Sequence, residues 1–262
     1  MSCHVVPPEI CDHIVDFLQD SPETLKQCCL ASKSWVSRTR KHLFAAVEFR
    51  TPSDIEAWKK TFPDPSNSPA HHTYTLSIRC LKAVTAADAV EGGWIPTFSR
   101  VARLKIIDDN LETHLAPFHQ FSLTLRSLDL DIFSFLPSRV IDLVCHFPLL
   151  EDFALLGRSN KYHEPLAVIS SGTSPVLTGT LRLSLLRGNA RVVHRLLDLP
   201  NGLHFRDLKV ASYSLEDIVS VGRLVEACSD TLEYLDVFHL SEGAIFPFFS
   251  SGVLGINLNF NL

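Results

Sequence analysis

An apolar pattern, h-x-x-h-x-h, recurs along the chain at nearly constant spacing, and no other feature limits the fold as much. It reads Phe44/Val47/Phe49, Val101/Leu104/Ile106, Leu125/Leu128/Leu130, Leu150/Phe153/Leu155, Phe205/Leu208/Val210, Leu232/Leu235/Val237 and Val253/Ile256/Leu258. Two further copies begin on threonine, Thr73/Leu76/Ile78 and Thr180/Leu183/Leu185. The middle positions are 47, 76, 104, 128, 153, 183, 208, 235 and 256, so the gaps are 29, 28, 24, 25, 30, 25, 27 and 21 residues, with a mean of about 26. The h-x-h step puts two apolar side chains on one side of an extended strand. Between the strands lie segments with helical periodicity: SRVIDLVCHF (138–147), NARVVHRLLDL (189–199) and SLEDIVSVGRLVEAC (214–228).

Strand and helix at a fixed period predict an α/β fold of parallel strands with outer helices, a curved solenoid over residues 45–262. A doubly wound α/β domain also alternates strands and helices, but its strands read as continuous apolar runs, and none here does. No G-x-G-x-x-G or G-x-x-x-x-G-K-S/T phosphate loop is present. SDIEAWKK (53–60) is expected to be the helix of the first repeat. TFPDPSNSPAHH (61–72), with three prolines, is expected to be an exposed loop. The chain closes on GVLGINLNFNL, which reads as a strand without the polar cap that covers the last layer of a solenoid. The expectation is either an exposed last strand or a truncated gene product.

The first 44 residues follow a different rule. Residues 1–23 hold five acids (Glu9, Asp12, Asp16, Asp20, Glu23) and no Lys or Arg, whereas residues 24–47 hold five bases (Lys26, Lys33, Arg38, Arg40, Lys41) and no acid. Ile10, Ile14, Phe17 and Leu18 fall on one stripe of a short helix that opens at Pro7 and Pro8. Ser21 and Pro22 predict the start of a second helix, with Leu25, Cys28 and Cys29 on its stripe. A third is expected from Trp35, with Val36, Leu43 and Phe44 as inward positions. Three short helices bury little on their own, so they should pack on something.

Adjacent residues on a helix point about 100° apart, so Cys28 and Cys29 do not converge on one metal ion. They read as small buried hydrophobes, and His13 as solvated. The seven cysteines form no C-x-x-C pair. The chain also lacks a basic-then-apolar leader and any apolar run near the roughly 18 residues that span a bilayer. A reduced intracellular protein, in cytoplasm or nucleus, is expected, with no membrane partner. KSWVSRTRKHLF is basic and follows a helix and a turn, like a DNA-reading helix-turn-helix. Five acids beside it and a formal net charge of −5 oppose binding to phosphates, so no specific nucleic-acid partner is expected.

Val6-Pro7-Pro8-Glu9-Ile10, then Ile14, Leu18, a leucine-rich second helix and Trp35 resemble an F-box, L-P-x-E-I/L…I…L…L…W. The spelling is similar to that of F-box proteins of mushroom-forming fungi. Val6 departs from the usual Leu by one methylene, about 0.8 kcal/mol of burial at most. The resemblance implies docking to the Skp adaptor, and through it to cullin, in a Skp–cullin–F-box ubiquitin ligase. It makes Val6, Pro7, Ile10 and Ile14 the adaptor contacts, with Trp35 and the two cysteines holding the helices together. The mean repeat length also lies within the 20–29 residues or so of leucine-rich repeats. It resembles the leucine-rich region that commonly follows an F-box. A leucine-rich interaction scaffold without a ligase partner is the alternative.

Neither a G-x-S-x-G elbow nor an H-E-x-x-H is present, and no histidine has a ligand spacing with a cysteine or carboxylate. Asp108, Asp109 and Glu112 read as a solvated turn, and Asp129 and Asp131 as similarly solvated. No catalysis, metal or cofactor is expected. If the apolar pattern points inward, the residues beside it line the open face of the sheet. They run from basic (Arg50, Arg79, Arg103, Lys105) through acidic (Asp129, Asp131, Asp152) to mixed (Asp207, Lys209, Tyr234, Asp236, Phe238). A protein substrate is expected to dock there, with aromatic residues as anchors.

Overall fold

Three short helices lead the chain, α1 (Pro8–Phe17), α2 (Pro22–Ala31) and α3 (Lys33–Leu43). The computed structural model describes residues 7–79, 81–90, 93–110, 116–159, 175–185, 189–212, 215–239 and 256–261. Prolines occupy the first turns of α1 and α2, where a missing N–H costs nothing. Ser21 does not cap α2 through its side chain, contrary to expectation, whereas Ser32 accepts the Ser34 N–H at the mouth of α3. The inward positions are Val15, Leu25, Cys28 and Thr39, all buried. Cys29, Trp35, Val36, Leu43 and Phe44 are half-buried rather than central. Asp16 ties α1 to α3: it accepts from Arg38 Nε at 2.7 Å and from Arg38 Nη2, and lies 2.7 Å from His42 Nε2. Those hydrogen bonds, Arg38's foremost, hold its carboxyl far below the ordinary carboxylate range.

The helices join the rest of the molecule at one seam. Phe44 meets Trp58 and Phe62 edge-on, with centroids 6.0 and 6.4 Å apart, and the Thr73 hydroxyl donates to the Phe44 carbonyl at 2.8 Å. The main core begins at Phe49 and includes none of Val15, Leu25 or Cys28.

From there strands and helices alternate: β1 (Ala46–Phe49), α4 (Pro52–Thr61), β2 (Thr75–Ile78), α5 (Ala86–Ala89), β3 (Arg103–Asn110), β4 (Ser127–Phe135), α6 (Pro137–Cys145) and β5 (Asp152–Ser159). They continue as β6 (Thr180–Leu185), α7 (Asn189–Leu197), β7 (Asp207–Ser212), α8 (Leu215–Ala227), β8 (Tyr234–His239) and β9 (Ile256–Asn261). Among the described residues nine strands form one sheet in chain order, and β1 to β8 are parallel. The strand residues Leu76, Leu104, Leu130, Leu155 and Val210 share one core with Ile55, Val144, Leu196 and Leu224 of the helices. A doubly wound sheet reverses its strand order and is covered on both faces; this one runs in chain order without reversal.

Apart from the step from β5 to β6, each repeat is stitched to the next in the same way. The carbonyl ahead of one strand accepts two successive N–H groups from the next repeat: Ala45 from Tyr74 and Thr75, Tyr74 from Ala102 and Arg103, Ala102 from Arg126 and Ser127. Arg126 and Arg206 continue the series. Threonines reinforce it, with Thr124 donating to Val101 and Thr231 to Phe205. Parallel strands thereby satisfy the backbone groups that a turn would otherwise leave unpaired.

The register pairs Val47, Leu76, Leu104, Leu128 and Phe153 in succession, as the spacing requires, and likewise Leu208 with Leu235. The sixth copy is corrected by two residues: Leu181, not Leu183, lies between Phe153 and Leu208. Strand β6 carries Leu181, Leu183 and Leu185 in strict alternation, so the pattern fits at either phase. The ninth copy is also corrected. β9 is antiparallel to β8, pairing Leu235 with Phe260 and Val237 with Leu258, so it is a returning strand and not a repeat. Residues 65–67 and 69–72 are short 3₁₀ turns; Thr61, Pro63, Asp64, Ser66, Asn67 and His71 of the Pro-rich stretch are exposed, as expected of a loop, whereas Ser68, Pro69 and Ala70 are buried.

Two histidine pairs lie in these connections. His71 and His72 rings are 3.9 Å apart, and His119 stacks on His146 at 3.8 Å. Burial, then the neighbouring histidine, pushes His72 and His119 below the ordinary imidazole value; Arg100, Arg40 and Lys41 add to the effect at His72. A base with a depressed folded pKa binds fewer protons folded than unfolded. Stability is therefore full above the unfolded value of about 6.5 and falls as pH drops through that value toward the folded one. The urea midpoint should decrease between about pH 7 and about pH 5.5, and the double variant His72→Gln/His119→Gln should flatten that decrease.

Candidate docking sites on the first helix and the open sheet face

Ile10, Ile14 and Phe17 are 49, 44 and 88% exposed, although they form the apolar stripe of α1. The packing explains it. The Asp16 ion pairs and buried Val15 fix the opposite side of the helix against α3, which turns the stripe outward. Pro7 at the helix mouth is exposed as well, and Leu30 of α2 is 82% exposed. Val6 lies outside the described residues. Phe17 and Leu30 are thus available alongside Ile10 and Ile14. The i, i+7 spacing from Ile10 signalled Phe17, and nothing local signalled Leu30. Exposed apolar side chains gathered on one short helix mark an interaction surface.

No protein-family model, curated protein or solved structure matches the chain. Any functional assignment therefore comes from the residues themselves.

On the open face of the sheet, registered neighbours form rows across the strands. One continuous row runs Ser77, Lys105, Asp129, Ala154, Arg182, Lys209, Asp236. Most of the expected substrate residues are on this face, but many are already engaged. Lys105 Nζ lies 3.3 Å from Asp129, which is an ion-paired carboxylate rather than a solvated one, and Asp129 Oδ1 is buried. Arg79 pairs with Glu48 at 2.8 Å, and Glu48 also pairs with Arg50. Asp152 accepts the Thr180 N–H at 2.7 Å and so braces β6. Arg103 lies over the Tyr74 ring, and Lys209 over Tyr234, at 5.8 and 5.5 Å. Asp236 lies in that row but is buried, while Phe238 is 36% exposed.

A cleft of about 440 Å³ opens at the carboxyl ends of β1 to β5. It brings together Arg79 and Asp131, both expected on the substrate face, with Lys82, Ile107, Asp108 and Phe133. Asp108 does not belong to a merely solvated turn: its Oδ2 accepts the Leu81 N–H at 2.7 Å and holds the short turn that carries Lys82. Glu112 lies outside the described residues. Gly157, with φ of +126°, completes the wall. Among the described residues, no group of three or more His, Cys, Asp or Glu side chains is arranged to hold a metal, and no helix is long and apolar enough to cross a membrane.

Proposed function

We propose that this chain is a substrate-receptor subunit of a Skp–cullin–F-box ubiquitin ligase. The observation that carries the reading is the outward stripe Ile10, Ile14 and Phe17, which falls in the segment resembling an F-box. Asp16 and buried Val15 hold the helix while its apolar face meets solvent, and an adaptor groove would bury that face. The repeat region supports the second half of the reading, since an ordered row of side chains on one open sheet face suits protein recognition. The receptor does no chemistry in this account; it holds a bound protein's lysines near the charged E2.

Reconstitution tests it. Full-length chain, Skp adaptor and cullin mixed in equal amounts should migrate in gel filtration as one three-component complex. A folded chain that elutes alone, while adaptor and cullin co-elute, would leave the leucine-rich scaffold as the function.

A further inference from the structure

We infer that the cleft at the carboxyl ends of β1 to β5 binds an extended segment of the substrate in which an apolar side chain is flanked by one acidic and one basic residue. This deepens the receptor reading and rests on it for the statement that the bound chain is a substrate. The charges of the neighbouring face satisfy one another: Glu48 with Arg50 and Arg79, Lys105 with Asp129, Asp152 with a backbone N–H. Lys82 and Asp131 are different. Among the described residues neither has an ion-pair or hydrogen-bond partner, yet both line the same cleft. They approach it from different elements, Lys82 from the turn after β2 and Asp131 from β4.

Between their elements lies Ile107 of β3, the registered neighbour of Asp131, and Phe133, two residues further along β4, adds apolar surface that is 62% exposed. The cleft therefore offers cation, apolar surface, then anion, in that order across three adjacent elements. A chain segment with side chains of the complementary order satisfies all three at once. The volume falls in the range of roughly 300–1,000 Å³ typical of ligand pockets, enough for a few side chains and too small for a folded element. Arg79 adds a second positive group beside Lys82, although its Nε is committed to Glu48. Gly157 contributes no side chain, which keeps that wall open.

The test is an array of short synthetic peptides with one central leucine and each combination of Asp, Lys and Ser on either side, probed with the full-length chain. Selection is expected for one order of acid and base, by about tenfold over Ser on both sides. Lys82→Glu should remove selection for the acid, and Asp131→Lys should remove selection for the base. The double variant Lys82→Glu/Asp131→Lys should prefer the reverse order. Selection that is absent, or that survives Lys82→Glu and Asp131→Lys unchanged, would overturn the inference. The adaptor is not needed, so the same protein assayed for adaptor binding separates the two readings. Adaptor binding without peptide selection removes the cleft, and peptide selection without adaptor binding removes the ligase.

Discussion

Replacing Ile10 and Ile14 together by aspartate is expected to abolish adaptor binding while leaving the fold intact. Both side chains are about half exposed in the free chain, so the charges face water there and cost little. In a complex they would enter an apolar groove, where an unpaired carboxylate costs several kcal/mol. The affinity should fall by a factor on the order of a thousand. Circular dichroism and the urea midpoint of the variant should match the wild type, because the buried side of α1 is Val15 and the anchor is Asp16. Val15→Asp is the contrasting change: it should loosen the three helices themselves. Equal loss of helicity in both variants would mean that the stripe supports the fold and is not an interface.

Gly157→Val should lower stability strongly, and Gly222→Ala should have the opposite sign. Gly157 sits in β5 at a positive φ of +126°, and an added Cβ would lie 1.8 Å from the Ile132 carbonyl oxygen. The backbone strain alone costs about 1–3 kcal/mol, and the clash with a neighbouring strand's main chain adds to it. Gly157 pairs with Ile132 where β4 begins a register shift that ends at Phe135, so the added Cβ would meet a bulged stretch of main chain. A loss of about 3 kcal/mol or more should lower the melting temperature by roughly 10 °C in a chain of this size. Gly222 lies in α8 with nothing within 4 Å of an added Cβ, and alanine should stabilise the helix by up to about 1 kcal/mol. A Gly157 variant as stable as the wild type would show that β4 and β5 do not pair as described.

Much of this architecture was legible because a strand in a repeat has only one free parameter, its phase. The spacing from Val47 to Phe153 placed five strands in register to the residue. It failed at β6, where three alternating leucines fit two phases, and at β9, because an apolar alternation carries no direction. The site was legible in outline only. Alternation told which side chains share the open face, but not that Lys105 and Asp129 neutralise each other across a registered pair. Nor did it tell that Asp152 is spent on a backbone N–H. The cleft depends on a 3₁₀ turn at 81–83 and on a glycine with positive φ, features without a periodic signature. The outward turn of α1 was equally hidden, since an amphipathic stripe looks the same whether it faces the core or a partner.

Amide hydrogen exchange of the full-length chain, with and without saturating Skp adaptor, tests the central claim most directly. New protection is expected in residues 7–44, strongest over α1 from Ile10 to Phe17, with little change in β1 to β8. Unchanged exchange over residues 7–44 in a folded chain, or protection confined to the sheet, would contradict it.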